Sequence, residues 1–370
     1  MAAITPILMP KWGLSMKEGT VNAWLVDEGA KISVGAPILE VETDKIANVV
    51  EAADAGTLRR KIAPTGETLP VKALLGVLAE PDVSEQDIDA FIASYVVPAE
   101  AGSDAAAAEA AYQFVEVNGL RVRYARKGNA VPAVLFIHGF GGDLDNWLFN
   151  LDALAERNTV LALDLPGHGQ SDPRLPGATL EDLARFVARF LDAVSVTRAH
   201  VVGHSMGGAI AAQLALDEPD RVDSVSLIGS AGLGAEINTG FTEGFVSAQS
   251  RRELKPVIEQ LFADPELVSR QLLDDLLKYK RLDGITEVLT ALSSGLFENG
   301  MQRTQPGKRL GETGKRVLVV WGESDRIIPA EHASHAPATA TVKVIKGAGH
   351  MVQMEKANEV NALLKEHIAG

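Results

Sequence analysis

The stretch HVVGHSMGGAIAAQLAL, residues 200–216, joins a short apolar run to a helix-like run through several glycines. It contains the pattern G-x-S-x-G with Ser205 at its centre. Where a buried strand turns sharply into a helix, such a serine is left exposed, and the glycines allow the close backbone approach that the turn requires. Any glycine-rich loop can match the pattern by chance, so the strand–turn–helix context carries the prediction that Ser205 is a nucleophile.

Short apolar runs on both sides of this stretch indicate further buried strands. They occupy residues 133–137, 160–163, 200–202, 225–228, 317–321 and 342–345. Continuous apolar runs are typical of parallel strands covered on both faces, and helical patterns such as residues 180–194 separate them. Residues 114–128 precede these runs and predict a hairpin that turns at Asn118 and Gly119. The sequence therefore predicts an α/β fold with a mostly parallel sheet and a leading hairpin.

The alternation of strands and helices is interrupted between residues 231 and 315. Three helix-like stretches follow one another there without an intervening strand, beginning near residues 252, 266 and 285. Ligands of open α/β sheets bind at the carboxyl ends of the strands. We therefore expect residues 231–315 to form a helical cap over that edge, inserted in a domain that spans residues 113–370.

A serine nucleophile needs a general base, which is most often histidine. Of the eight histidines in the chain, His350 in GAGHMVQME follows the last predicted strand in a glycine-rich loop, and we expect it to be the base. The acid that orients it should follow the preceding strand, where WGESDRIIP contains Asp325 and, two residues earlier, the competing Glu323. Asp325 is favoured because Pro329 and a helix follow it closely. The predicted triad is Ser205, Asp325 and His350.

Acyl transfer through such a triad also requires hydrogen-bond donors for the oxyanion of the tetrahedral intermediate. The backbone amide of Met206, directly after the nucleophile, is one natural donor. Phe140 lies in HGFGG after the first predicted parallel strand, and its amide is the second. A glycine-rich turn without function is the alternative interpretation of HGFGG, and its position in the chain argues against it.

The first eighty residues have a different pattern, with short alternating apolar runs separated by glycine and proline. The tripeptide GTV at residues 19–21 recurs thirty-seven positions later as GTL at residues 56–58. This repeat predicts a small all-β domain over residues 1–80, built from two halves that pack together. The stretch VETDKIAN, residues 41–48, joins the halves, so we expect Lys45 at an exposed hairpin tip.

Residues 81–112 separate the two predicted domains. They begin with a helical pattern that has Ser84 as its expected N-cap, and they continue as an Ala- and Pro-rich stretch with almost no residues that could form a core. We therefore expect a short helix followed by a linker.

Composition excludes several classes of function. With 46% hydrophobic and 23% charged residues the chain has enough apolar material for real cores, and its net charge of −14 opposes a broad contact with nucleic acid or an anionic membrane. The chain has no cysteine, so thiol chemistry must come from a cofactor or substrate, and we expect no metal. No signal-peptide pattern or long apolar run is present, which predicts a cytoplasmic protein.

Two resemblances follow from these motifs. Residues 113–370 resemble the α/β-hydrolase family through IHGFGG, DLPGHGQSD, GHSMGG, WGESDRIIP and GAGH, in the family's order. Residues 1–80 resemble the lipoyl domains of 2-oxoacid and acetoin dehydrogenase complexes, flattened all-β barrels, through MPKWGLSMKEGTV and VGAPILEVETDKIA. The second resemblance implies that Lys45 carries lipoic acid in amide linkage. Related biotinyl domains have M-K-M at this turn, which the D-K-I of this sequence does not match.

The fusion of these two domains resembles the acetyltransferase (E2) components of bacterial acetoin-cleaving systems. This resemblance implies transfer of an acetyl group from the lipoyl arm to coenzyme A. It also implies two partners: a thiamine-diphosphate-dependent acetoin dehydrogenase (E1) and dihydrolipoamide dehydrogenase (E3). Three questions stay open at this stage: whether the second domain is a thioesterase or carboxylesterase, whether it is a non-catalytic scaffold for a lipoyl carrier, and whether the chain forms a homo-oligomer.

Overall fold

Two units are present in the computed structural model, Met1–Glu109 and Ala110–Gly370. The structure describes residues 4–12, 16–43, 47–98 and 112–370. Each unit is treated by itself below. Among the described residues, no helix combines the length and the hydropathy needed to cross a membrane.

The first unit contains two four-stranded sheets, with strand orders β1-β8-β6-β3 and β5-β4-β2-β7. Every pairing within them is antiparallel. The strands are β1 (Ile4–Leu8), β2 (Glu18–Trp24), β3 (Lys31–Ile32), β4 (Pro37–Glu42), β5 (Ala47–Glu51), β6 (Gly56–Lys61), β7 (Thr68–Pro70) and β8 (Leu74–Ala79). This arrangement confirms the predicted all-β domain of the lipoyl and biotinyl type.

One apolar core is shared by the two sheets of this unit. Val21, Leu39 and Val41 come from one sheet, Leu58 and Leu78 come from the other, and none of them is more than 2% exposed. Complete burial of such a side chain contributes roughly 1.5–3 kcal/mol to stability. Each sheet contains strands from both similar halves of the sequence, and neither half could bury its apolar face alone, which explains why the halves occur together.

Strands β4 and β5 flank residues 43–46, the segment that contains Lys45. They pair antiparallel, with Glu42 opposite Ala47 at the end of the ladder. The predicted attachment residue Lys45 lies outside the described residues. Thr43, which precedes this gap, is buried.

A short helix, α1 (Glu85–Ser94), packs against the first unit. Ser84 is its N-cap, and the Ser84 hydroxyl accepts a hydrogen bond from the Asp87 amide. Ile88 of this helix is fully buried in a cluster with Leu74 and Val77 of β8. Apolar burial therefore holds the helix on the β-unit, and it is not a free part of the linker.

The second unit is built on an eight-stranded sheet of order β18-β17-β14-β13-β11-β12-β10-β9. Strands β9 and β10 form the leading antiparallel hairpin, and β11 to β14, β17 and β18 pair in parallel. The strands are β9 (Tyr112–Val117), β10 (Leu120–Lys127), β11 (Ala133–Ile137), β12 (Thr159–Leu163), β13 (Ala199–His204), β14 (Val222–Ile228), β17 (Arg316–Gly322) and β18 (Thr341–Ile345). The predicted α/β-hydrolase fold is confirmed.

The second unit also contains helices, and those outside the insertion between β14 and β17 follow strands of the sheet. They are α2 (Leu151–Ala155), α3 (Leu180–Ala193), α4 (Met206–Asp217), α5 (Thr239–Ser247), α6 (Arg251–Ile258), α7 (Arg270–Lys280), α8 (Ile285–Leu296), α9 (Val352–Glu355) and α10 (Ala357–Ala369). Short 3-10 turns span Leu144–Trp147, Pro219–Arg221, Glu259–Leu261, Pro265–Leu267, Pro306–Thr313 and Ala330–His335.

The insertion between β14 and β17 contains α5 to α8 and a two-stranded hairpin, β15 (Phe297–Glu298) with β16 (Met301–Gln302). It is the helical cap that the sequence predicts over residues 231–315. Because β11, β13 and β17 run parallel, the loops after Ile137, His204 and Gly322 emerge at the same edge of the sheet.

Candidate active site

Ser205 occupies a strained turn between β13 and α4. Its backbone has φ 54° and ψ −120°, a conformation that non-glycine residues rarely adopt. Two backbone hydrogen bonds hold it there: the Ser205 amide donates to Ile228 O at 3.0 Å, and the Ala231 amide donates to Ser205 O at 3.0 Å. This strain, fixed by the surrounding backbone, is the geometry expected of a nucleophile elbow.

The glycines around Ser205 are required by close backbone contacts. A Cβ atom on Gly203 would lie 2.2 Å from Gly207 O, and one on Gly207 would lie 2.2 Å from Ile137 O. Neither neighbour is the flexible end of a side chain, so the turn could not accommodate even alanine without a backbone shift. This explains in physical terms why the sequence pattern around the serine contains these glycines.

Asp325 and His350 are hydrogen-bonded to each other. The distance from His350 Nδ1 to Asp325 Oδ2 is 2.8 Å, and neither side chain is more than 2% exposed. The second oxygen, Asp325 Oδ1, accepts from the amides of Ile327 and Ile328 at 2.8 and 3.0 Å, so the carboxylate is fixed in place. The competing acid, Glu323, is exposed. Because Nδ1 donates to the carboxylate, the lone pair of Nε2 is free to act as a base.

His204 fixes the backbone of the histidine loop. Its Nε2 lies 3.0 Å from His350 O, and the two imidazole rings are 4.7 Å apart between centroids. Burial lowers the pKa of His204 well below its usual range, so the ring is neutral and its N–H donates to the His350 carbonyl. His204 immediately precedes Ser205, the candidate nucleophile. It therefore connects Ser205 to the loop of the candidate base, His350.

Phe140 and Met206 each lie next to a residue that contacts or precedes them at the serine: Gly139 before Phe140, and Ser205 before Met206. Met206 is the first residue of α4, where unpaired amides and the helix dipole favour an anion. Gly139, next to Phe140, packs so closely that an added Cβ would lie 2.9 Å from Ser205 Cβ. The two predicted oxyanion donors thus belong to segments that meet at the serine.

His138 determines the conformation of the loop that contains Phe140. Its Nδ1 donates to Gly139 O at 2.8 Å, and its Nε2 accepts from the Leu165 amide at 3.0 Å. Complete burial lowers the pKa of His138 to about 4, so both hydrogen bonds of the neutral ring persist at neutral pH. The histidine of the HGFGG motif has a structural role at the edge of the site.

Because these histidines are buried and neutral, we expect the free energy of unfolding of the second unit to depend on pH. Burial lowers the pKa of His138 to about 4 and of His168 to about 3, whereas in the unfolded chain both groups titrate near 6.5. Below pH 6.5 the unfolded chain therefore binds more protons than the folded one, so the free energy of unfolding falls as the pH falls towards 4.

For His138 alone the expected loss is on the order of 3 kcal/mol. Asp164 acts in the opposite direction, because burial raises its pKa to about 7 and the folded state retains that proton. The buried histidines outnumber it, so the urea midpoint of the second unit should be lower at pH 4.5 than at pH 7. An equal or higher midpoint at pH 4.5 would contradict this expectation.

The cap contacts the loop that contains Phe140 through Phe245 of α5. A Cβ on Gly141 would lie 2.5 Å from the Phe245 ring, and this ring is 6.1 Å from that of Phe140. The Lys280 ammonium of α7 lies 5.3 Å from the centre of the Phe245 ring and donates to Ala248 O. The cap therefore packs against the loop that contains Phe140 through aromatic side chains.

Two family models match the chain in consecutive regions. The description "alpha/beta hydrolase fold" matches residues 132–357, and "Biotin-requiring enzyme" matches residues 5–78. A meta-cleavage product hydrolase from Pseudomonas fluorescens superposes with a TM-score of 0.63 at 23% identity, covering 70% of this chain and 97% of that one. This superposition supports the fold of the second unit.

Two curated relatives match both units together. The dihydrolipoyllysine-residue acetyltransferase component of the acetoin cleaving system from Cupriavidus necator is 69% identical over 99% of this chain and 98% of the relative. The protein of the same name from Pseudomonas putida is 48% identical over 99% of this chain and the whole of the relative. With such identity across both units, the chain belongs to the family of dihydrolipoyllysine-residue acetyltransferase components of acetoin cleaving systems.

Proposed function

We propose that the chain transfers an acetyl group from the S-acetylated dihydrolipoyl group on Lys45 to coenzyme A during the breakdown of acetoin. The observation that carries this proposal is the continuous match of both units to an acetyltransferase component of an acetoin cleaving system. The absence of cysteine from the sequence agrees with it, because the acyl-carrying sulfur must then belong to the cofactor.

Residues 43–46 fit the attachment of such a cofactor. They connect β4 and β5, which pair up to Glu42 and Ala47 on either side, and lysine is the residue in this connection that forms an amide with lipoic acid. The cofactor supplies a dithiol that carries the acyl group as a thioester. In this proposal the first unit presents the arm, and the second unit carries out the transfer.

The residues of the second unit provide a two-step route. In the first step the Ser205 hydroxyl attacks the thioester carbonyl, and His350 Nε2 accepts its proton. The amides of Phe140 and Met206 stabilise the oxyanion, and His350 returns the proton to the departing sulfur. In the second step His350 deprotonates the coenzyme A thiol, which attacks the acyl ester, and the Ser205 oxygen leaves as a hydroxyl. Asp325 holds the imidazole in the required tautomer throughout.

The reaction requires enzymes that load and recycle the arm. We propose a thiamine-diphosphate-dependent acetoin dehydrogenase as the enzyme that acetylates the lipoyl group, and dihydrolipoamide dehydrogenase as the enzyme that oxidises the dithiol afterwards. Both are proposed from the similarity to components of acetoin cleaving systems, and they agree with the chemistry of the arm, which must gain an acetyl group and two electrons before transfer and lose the two electrons after it.

The decisive experiment measures the products of lipoylated protein incubated with the loading enzyme, acetoin and thiamine diphosphate. With coenzyme A present, acetyl-CoA should accumulate, and without it the acetyl group should stay on the protein. Rapid release of free acetate at equal rates with and without coenzyme A would instead identify a thioesterase or carboxylesterase, because it would show that the thiol does not compete with water for the acyl-serine. A serine-directed fluorophosphonate that failed to label Ser205 would favour a non-catalytic scaffold.

A further inference from the structure

A short segment of the cap, residues 259–263, lies against the loops of both the candidate base and the candidate acid. It follows α6 and includes the 3-10 turn Glu259–Leu261. A cap that only covered the site would need no hydrogen bonds to these loops. The segment is nevertheless hydrogen-bonded to each of them.

Glu355 joins this segment to the His350 loop. One of its carboxylate oxygens accepts from the Gly349 amide at 2.8 Å, and the other accepts from the Ala263 amide at 2.8 Å. The Met351 amide adds a direct bond to Leu261 O at 3.0 Å. His350 therefore lies between two residues whose backbone positions depend on the cap.

The packing at this junction leaves little room for adjustment. A Cβ on Gly349 would lie 2.6 Å from Ala263 N, so the two chain segments are in direct backbone contact. Glu355 is partly buried at this contact, and burial raises its pKa while the two amide donors oppose the shift. A carboxylate satisfies two converging N–H groups with one oxygen each, whereas an amide side chain would direct an NH₂ group at one of them.

Arg326 and Asn238 join the same segment to the Asp325 loop. The Arg326 guanidinium donates to Glu259 O at 2.7 Å and also to Phe262 O. The Asn238 side chain at the start of α5 donates to Gln260 Oε1 and to Arg326 O, at 2.8 and 3.0 Å. The residue directly after the candidate acid is therefore held by the cap from both sides.

We propose that Glu355 is a positioning residue which, together with Arg326, locks residues 259–263 to the loops of His350 and Asp325, so that the seated cap sets the geometry of this pair. This inference rests on the proposed acyl transfer through Ser205. It gives the cap a second role: the contact that aligns the base also closes the site against water. Loss of the lock should therefore slow transfer and increase hydrolysis of the acyl-serine together.

The test compares Glu355→Gln, which retains one acceptor oxygen, with Glu355→Leu, which retains none. Removal of a hydrogen bond to a charged group should lower kcat for acetyl-CoA formation by about 10- to 100-fold for the leucine variant and by less for the glutamine variant. The KM for coenzyme A should change little, and the fraction of acetyl groups released as acetate should rise. Glu366→Gln, an exposed change of the same type in α10, should behave as wild type.

Hydrogen exchange of the full-length protein provides a readout that does not depend on activity. Both Glu355 variants should exchange faster at residues 259–263 and at residues 349–351, whereas Glu366→Gln should not. The proposal is contradicted if the Glu355 variants exchange at the wild-type rate and release the same fraction of acetyl groups as acetate as the wild type does. If the wild-type protein transfers no acetyl group, the proposed function fails. Faster exchange of the Glu355 variants at both segments would then still support the contact of the cap with the His350 loop, but a role of this contact in acetyl transfer would be rejected.

Discussion

Ser205→Ala should abolish acetyl-CoA formation while leaving the lipoylated first unit unchanged. Alanine removes the only oxygen that can form the acyl ester, and loss of a triad nucleophile typically costs a factor of 10³ or more in kcat. The hydrogen bonds that join the turn to Ile228 and Ala231 are made by backbone atoms, so the substitution leaves them in place. The variant is therefore expected to fold with the same thermal midpoint, within a few degrees.

The measurement is the rate of acetyl-CoA formation with the loading enzyme in excess, together with intact mass before and after loading. In the variant the acetyl group should remain on the protein, since loading of the arm does not involve the second unit. Ser334→Ala, at an exposed serine of the second unit, is the matched control and should transfer at the wild-type rate. Transfer by Ser205→Ala at the wild-type rate would remove the serine from the reaction and favour direct attack of coenzyme A on the thioester.

The sequence is sufficient to predict the two fold classes because each depends on local patterns. Short alternating runs with a repeat produce the paired sheets of the first unit, and continuous apolar runs produce the parallel strands of the second. The position of Asp325 could also be anticipated, because it follows a strand whose partner loops must emerge at the same edge. Its pairing with His350 at 2.8 Å is the arrangement that this reasoning leads one to expect.

Other features depend on contacts that no local pattern encodes. His204 directly precedes Ser205, and no local pattern predicts that its ring donates to the carbonyl of His350, which lies far along the chain. Glu355 and Arg326 are hydrogen-bonded to residues 259–263, which are distant from each of them in the chain. Only the residue types could have indicated them: an acid and an arginine directly adjacent to the predicted site loops.

Lys45→Arg should eliminate acetoin-dependent acetyl-CoA formation, because a guanidinium cannot form the amide to lipoic acid that the ε-amine forms. The charge and approximate length of the side chain are retained, so the first unit should fold as before. Intact mass after expression with lipoate should show a lipoyl group on the wild-type protein and none on the variant. Lys31→Arg, at an exposed lysine in β3 of the same unit, is the matched control and should be lipoylated normally.

The same variant separates the two units functionally. Free S-acetyldihydrolipoamide, supplied in solution, bypasses the arm and presents the thioester directly to the second unit. Lys45→Arg should then transfer acetyl groups to coenzyme A as well as wild type does, but only at high concentrations of the free thioester, because tethering normally supplies a high effective concentration of the donor. If Lys45→Arg still forms acetyl-CoA from acetoin at the wild-type rate, the acyl group travels by a route other than this lysine. If it fails with the free thioester as well, the lysine is needed by the second unit for more than carriage of the arm.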